Sequence, residues 1–410
     1  MRPRTAMLLV GFVLGSTACQ SENIAAPQPE FATAALASYD FLNAGIYHSC
    51  ISRNSVRMCW GVNGDGQLGI GRISTLSTTA QPVVNGTGDT FGVGDGGYNH
   101  TCSLSGTRAY CWGFNGYGQL GNGTTTPSSS PVLVSGGISW QWIAAGGHFT
   151  CGISTIKVAY CWGYNGAGQL GNGTKNNQSI PTAVNTALRF DKLVLGEHFV
   201  CAWLNPSTAT GSSVYCWGAN DFGQLANGSV GGIRTSPGPA VTGKWLNVTA
   251  GSFFACASKG GSPSYLTYCW GSNAYKQIGY QQFIICSCDN PPPGDTYLYA
   301  TSPLPVDGGL HLNPIAAGYG HVCGRQIETG AMYCWGRGDQ GQLGNGSTYN
   351  TIRASPVAGG YTYQEKLAAG GYHTMAVRSD GSVLAWGRNV EGQLGNGTQN
   401  GSPVPIVVNP

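Results

Sequence analysis

A Trp-Gly step recurs seven times in this chain, at Trp60, Trp112, Trp162, Trp217, Trp270, Trp335 and Trp386. Each is followed by a loop carrying Gly-Gln-Leu-Gly-Asn-Gly or a close variant, and then by a short Pro/Val segment. The spacing runs from 50 to 65 residues with no helical periodicity between the steps. Repeats of that size in an all-strand pattern are blades of a β-propeller. The second repeat shows the strands: Phe91 to Val93 leads in, His100 to Leu104 and Arg108 to Trp112 flank a Gly106-Thr107 turn, and Pro131 to Val134 closes. The predicted fold is therefore an all-β, seven-bladed propeller of four-stranded antiparallel blades, one domain over residues 39–410. The chain ends on Pro403 to Val408 and begins its first repeat on Tyr39 to Gly45. Pairing of this last strand with the N-terminal blade is expected to close the ring.

Cysteine placement fits that scheme. Twelve cysteines form one pair per repeat in the first six: Cys50 with Cys59, Cys102 with Cys111, Cys151 with Cys161, Cys201 with Cys216, Cys256 with Cys269, and Cys323 with Cys334. The seventh repeat has Met375 and Ala385 at these places, around the hairpin turn Arg378-Ser379-Asp380-Gly381. Folding about that turn sets 375 opposite 385, where facing residues stand ~4.5–5.5 Å apart and a disulfide can form. Six cross-strand disulfides follow, each worth roughly 2–3 kcal/mol in the chain-entropy model. No Cys-x-x-Cys occurs, so a metal site is not expected.

Disulfides imply export, and the N-terminus agrees. Arg2 and Arg4 precede the short apolar run Ala6 to Leu14, and Ser16-Thr17-Ala18 precede Cys19. Residues 1–18 read as a signal peptide. The small residues before Cys19 resemble a bacterial lipobox, which makes Cys19 the lipidated first residue of the mature chain. The same three residues also fit an ordinary cleavage site. Residues 19–38, rich in Ala, Pro, Ser and Gln, read as a flexible tether, giving an outer-membrane or cell-surface lipoprotein, otherwise a periplasmic or secreted protein.

The pattern Ala145-Gly146-Gly147-His148, with the stretch Cys161 to Gly173, resembles the repeat of the regulator of chromosome condensation family. The resemblance spans residues 39–408 and implies a seven-bladed propeller. It implies no catalytic residues, because the repeat motif is structural. Some eukaryotic members are guanine-nucleotide exchange factors for a nuclear GTPase and bind chromatin. A signal peptide and disulfides depart from that setting, and exchange is the least favoured reading.

Several motifs that suggest chemistry have structural explanations. Gly64 to Gly69 matches Gly-x-Gly-x-x-Gly, but it repeats and precedes a Thr/Ser/Pro-rich loop, so it reads as tight turns. Six histidines, His48, His100, His148, His198, His321 and His373, are read as holding one place in their repeats, two residues before the Cys or Met, in a hydrogen-bonding role. The loop glutamines (Gln67, Gln119, Gln169, Gln224, Gln277, Gln342 and Gln393) are read as braces for unpaired backbone groups. A net charge of +3 with no Lys/Arg cluster disfavours nucleic acid. No cofactor is expected, and no nucleophile with a local base stands out.

Departures from the repeat suggest where function lies. The fifth repeat inserts Tyr280 to Tyr299, with Phe283, Ile284, Ile285, Cys286, Cys288 and Tyr297. Long loops on a rigid ring are common contact sites. Trp203, in the longer hairpin of the fourth repeat, is a further candidate. The expected function is a monomeric, non-enzymatic binding protein of the cell envelope, its partner an envelope or extracellular protein. The alternative is an extracytoplasmic hydrolase or lyase with its site at the propeller mouth.

Overall fold

The computed structural model describes residues 39–54, 56–84, 88–204, 213–243, 245–260, 266–280 and 299–409. Signal, tether, Cys19, Phe283, Ile284, Ile285, Cys286, Cys288 and Tyr297 lie outside the described residues.

Among the described residues, twenty-eight strands form seven four-stranded antiparallel sheets, each built from four consecutive strands. Blade one comprises Tyr39–Ala44, His48–Arg53, Val56–Val62 and Leu76–Pro82. The other blades occupy residues 94–133, 140–183, 192–242, 245–305, 312–356 and 363–407. Second strands such as His100–Ser105 and Phe149–Ser154 are buried along their whole length. Both faces of a blade are covered by neighbours there, so these strands lack the simple alternation of a half-exposed sheet. Outermost strands are only partly covered and carry prolines, among them Pro82, Pro131, Pro181, Pro356 and Pro403. Proline on an edge discourages pairing with another chain.

All six expected disulfides form between the second and third strands of their blades. Cys50 is bonded to Cys59, Cys102 to Cys111 and Cys151 to Cys161. In blades four to six, Cys201 is bonded to Cys216, Cys256 to Cys269 and Cys323 to Cys334. The bonded residues face each other directly in the strand register. Their Cα–Cα separations are 4.0–4.2 Å. That is closer than the narrow antiparallel pair anticipated from the turn. Met375 faces Ala385 in the same register, both fully buried.

Ring closure differs from the expectation. The C-terminal strand Ser402–Val407 pairs with Val383–Gly387 of its own blade, not with the N-terminal blade. The reason lies in the phase of the repeat. Tyr39–Ala44 is already the innermost strand of blade one, so no blade needs a strand from the far end of the chain. Blades seven and one instead meet as every other pair does. Trp60 Nε1 donates to the Gln393 carbonyl at 2.8 Å, and Ile51 and Trp60 pack with Met375, Val377 and Leu394.

The ring is tight at its inner edge. Each first strand ends at a glycine: 45, 97, 146, 196, 251, 318 or 370. A Cβ at any of them would lie 2.2–2.9 Å from the carbonyl oxygen of the equivalent glycine in the next blade, 370 meeting 45. Close approach, not backbone conformation, requires glycine here.

Candidate functional site: an aromatic collar at one channel mouth

The joints between blades position the site. In all seven, the Trp of one blade donates its indole N–H to a Gln main-chain carbonyl of the preceding blade at 2.8–3.0 Å. The Gln side chain braces its own loop, its Oε1 accepting the backbone N–H two residues earlier at 2.7–3.0 Å. The bracing role read from sequence holds.

The histidines need a correction. His48, His100, His321 and His373 share one fully buried place, two residues before the Cys or Met. His148 and His198 stand three residues before their Cys and remain partly exposed. Phe149, Phe199 and Phe254 fill the buried place in blades three, four and five. The ring type matches what faces it. The four imidazoles meet Thr101, Thr150, Thr374 and Ser49 of the next blade at 2.6–2.9 Å. The three phenyl rings pack in cores with Val200, Ala255 and Val322. Each Thr or Ser hydroxyl also donates to the Gln carbonyl at 2.8–3.0 Å. Its single hydrogen is thereby used, so histidine Nε2 carries the proton and donates. The bare Nδ1 has no partner and rests against the ring glycine. Burial, with nearby positive groups adding, pushes these four imidazoles down to about 3.

The central channel, about 320 Å³, is lined mainly by glycine, alanine and aliphatic residues of the innermost strands. Asp95 lies between the first strands of blades two and three and accepts from the Gly96 and Ala145 backbone N–H groups. Burial raises its carboxyl to about 6.

First-to-second and third-to-fourth strand connections emerge at the same end of every blade. Together they build a collar of half-exposed rings. Tyr47, Tyr372 and Tyr319 stack in series at 5.7 and 5.6 Å, with interplanar angles of 15° and 17°. Phe253 and Phe222 continue the arc. On the other side, Tyr117 touches Tyr164 at 5.0 Å and His148 at 5.4 Å, and Tyr164 touches His198 at 5.7 Å. The Arg337 guanidinium lies 4.5 Å from the Tyr275 ring and 4.8 Å from Tyr372, and Asp339 binds it bidentately at 2.7–2.8 Å. Arg388 lies over Tyr47 at 5.7 Å and pairs with Glu391. Arginine on tyrosine faces, neutralised by a carboxylate, gives this end of the ring a fixed arrangement of aromatic and cationic surface. Tyr98 reaches inward from blade two; burial, then the Glu197 carboxylate beside it, hold its phenol well above the ordinary range.

Sequence reasoning missed this collar. Its signal was available: aromatic or histidine residues stand immediately before the buried His/Phe place in five repeats, at Tyr47, His148, His198, Phe253 and Tyr372. Of the two described binding candidates, Tyr280 packs partly buried against the joint of blades five and six. Trp203 lies at the opposite end of its blade from the collar, its indole N–H donating to the Trp245 carbonyl at 2.7 Å.

Comparison with known proteins agrees with this architecture. The family model for the regulator of chromosome condensation (RCC1) repeat matches residues 108–153, 158–203, 329–377 and 380–410, and a second model of the same repeat matches 365–393. The mouse E3 ubiquitin-protein ligase HERC2 is 26% identical over 367 residues, which is 85% of this chain but 6% of HERC2. The Arabidopsis thaliana ultraviolet-B receptor UVR8 is 30% identical over 203 residues, 48% of this chain and 42% of the receptor. The chain thus spans 6% of the first relative's length and 42% of the second's. Prp20p from Saccharomyces cerevisiae superposes with a TM-score of 0.72 at 18% identity, covering 90% of this chain and 86% of Prp20p. Human WBSCR16 superposes at 0.69 with 17% identity, covering 83% and 86%. With its matched repeats and seven equivalent Trp–Gln joints, this chain carries repeats of the regulator of chromosome condensation (RCC1) type.

Proposed function

We propose that this chain is a non-enzymatic protein-binding propeller working outside the cytoplasm, and that the aromatic collar is its contact face. The collar of half-exposed tyrosine, phenylalanine and arginine residues carries the reading. Six buried disulfides support an oxidising compartment. They also stiffen the blades, so a partner meets a face whose ordering cost is already small. The structure of Prp20p was examined together with its binding to Gsp1p and histones, and yeast RCC1 has been seen bound to Kap60. Protein binding by a chain with this fold therefore has precedent, although those partners are its own. The ligase name of HERC2 belongs to a protein of which this chain matches 6%.

Export by residues 1–18 with a lipid on Cys19 is part of the proposal, as is a monomeric ring. So is a role for the blade-five insert, with Phe283, Ile284, Ile285 and Tyr297. Its connection leaves the end of blade five that supplies Tyr275 to the collar, which supports the insert extending that face. Capture from cell-envelope extract tests the reading, comparing wild type with the double variant Tyr47→Ser with Tyr372→Ser and with the single variant Trp203→Ser. Loss of a captured protein in the collar double variant but not in Trp203→Ser is expected. The reverse pattern would overturn the collar assignment.

A further inference from the structure

Directly after the seven ring glycines stands a layer of residues facing the channel mouth. Only one carries charge, Glu197 of blade four; Tyr98, Ser252 and Tyr319 come from three other blades, and Gly147 and Gly371 leave space. Tyr98 reaches across toward Glu197 and Ser252. The Tyr98 hydroxyl stands within hydrogen-bonding reach of both, and no arginine or lysine side chain pairs with Glu197 among the described residues. The only ion-pair contact of Glu197 among the described residues is His198, at 3.7 Å. This sets it apart from the two collar carboxylates Asp339 and Glu391, each of which neutralises an arginine.

The surroundings add acceptors rather than donors. Carbonyl oxygens of Gly97, Gly146, Gly196, Gly251, Gly318 and Gly370 accept no hydrogen bond among the described residues. In the adjoining collar Phe253 meets Tyr319 edge to face, and Tyr164 touches His198. Nearby, Tyr275 and Tyr372 already hold one guanidinium, that of Arg337. A carboxylate with no arginine or lysine partner, beside a ring of carbonyls that accept no hydrogen bond, attracts an N–H cation.

We propose that the channel mouth around Glu197 is a docking site for a basic side chain, lysine or arginine, presented by the partner protein. This rests on the protein-binding reading of the collar. The inserted cation would give Glu197 the partner that Arg337 gives Asp339, while the collar rings cover the rest of the contact. Metal coordination is the weaker use of these groups, because no cluster of three or more His, Cys, Asp or Glu able to hold an ion occurs among the described residues.

The test is calorimetric titration of the full chain, at low and physiological salt, with three acetylated, amidated pentapeptides of glycine carrying a central lysine, arginine or norleucine. Saturable binding of a basic peptide, no binding of the norleucine peptide, and weakening by added salt are expected. Glu197→Gln should weaken binding at least about tenfold, and Tyr98→Phe several-fold. Glu365→Gln, which removes an exposed charge elsewhere, should leave binding intact. Unchanged urea midpoints would show that each variant folds. Equal binding of the norleucine peptide, or a Glu197→Gln protein that binds as wild type, would overturn the proposal. If no basic peptide binds while the collar double variant still loses its captured protein, the docking site fails and the collar reading stands. If the peptides bind and the collar double variant captures as wild type, the collar reading fails instead.

Discussion

Replacing one polar blade joint by an apolar one should remove part of the acid sensitivity of the fold. The perturbation is His321→Phe with Thr374→Val, which copies the joint of Phe254 and Val322 in the same molecule. In the wild-type joint, His321 Nε2 donates to Thr374 Oγ1 at 2.9 Å, and Nδ1 has neither partner nor solvent. Protonating Nδ1 would bury a charge with no acceptor, and the imidazole is accordingly pushed down to about 3, mainly by burial. Its folded value lies below that of an unfolded histidine, about 6.5. The stabilisation it contributes is therefore complete above about pH 6.5 and is lost as pH falls toward 3. At 1.36 kcal/mol per unit, the loss between pH 7 and pH 5 comes to about 2 kcal/mol for this one residue. His48, His100 and His373 behave alike. Urea unfolding with the disulfides intact, followed by tryptophan fluorescence at both pH values, measures the effect. The double variant should lose about 2 kcal/mol less than wild type over that interval, whatever its stability at pH 7. An identical loss in both proteins would refute the assignment of a neutral, Nε2-protonated histidine to the joint.

The inner ring and the disulfides give two further tests. A Cβ at Gly318 would sit 2.2 Å from the Gly370 carbonyl, whereas one at Gly64 would meet nothing within 4 Å. Gly318→Ala should therefore cost about 2–3 kcal/mol or more and lower the melting temperature by several degrees, while Gly64→Ala should leave it unchanged or slightly higher. Melting curves at one scan rate that coincide for the two variants would contradict the close-packed ring. Cys102 and Cys111 are 9 residues apart in sequence, and their replacement by alanine should cost about 2–3 kcal/mol. Peptide mapping without reduction should recover Cys102 joined to Cys111; any other partner would break the proposed hairpin register.

Most of the fold was legible because it repeats. The turn Arg378 to Gly381 fixes which residues face each other in blade seven, and the register of Met375 with Ala385 carries over to six cysteine pairs, from Cys50 with Cys59 to Cys323 with Cys334. What went wrong concerned offsets. Treating His148 and His198 as equivalent to His48 overlooked one residue of spacing, yet the residue that follows each buried ring already recorded the distinction: Thr or Ser faces histidine, Val or Ala faces phenylalanine. Ring closure was misread because an incomplete-looking last repeat can equally mean that every blade is complete with a shifted start. The layer at the channel mouth was hidden for a different reason. Tyr98, Glu197, Ser252 and Tyr319 occupy one structural layer but differ from blade to blade, so a search for recurring residues passes over them. A propeller places its most individual residues side by side around the axis, and only the closed ring shows them together.

The central claim is that partners meet the collar end of the ring. A photoreactive amino acid placed at Tyr372, and separately at Trp203 on the opposite end, in protein made by its own cells distinguishes the two ends. Position 372 should yield a crosslinked protein, diminished by Glu197→Gln, and position 203 none. Crosslinking from 203 with silence at 372 would contradict the claim.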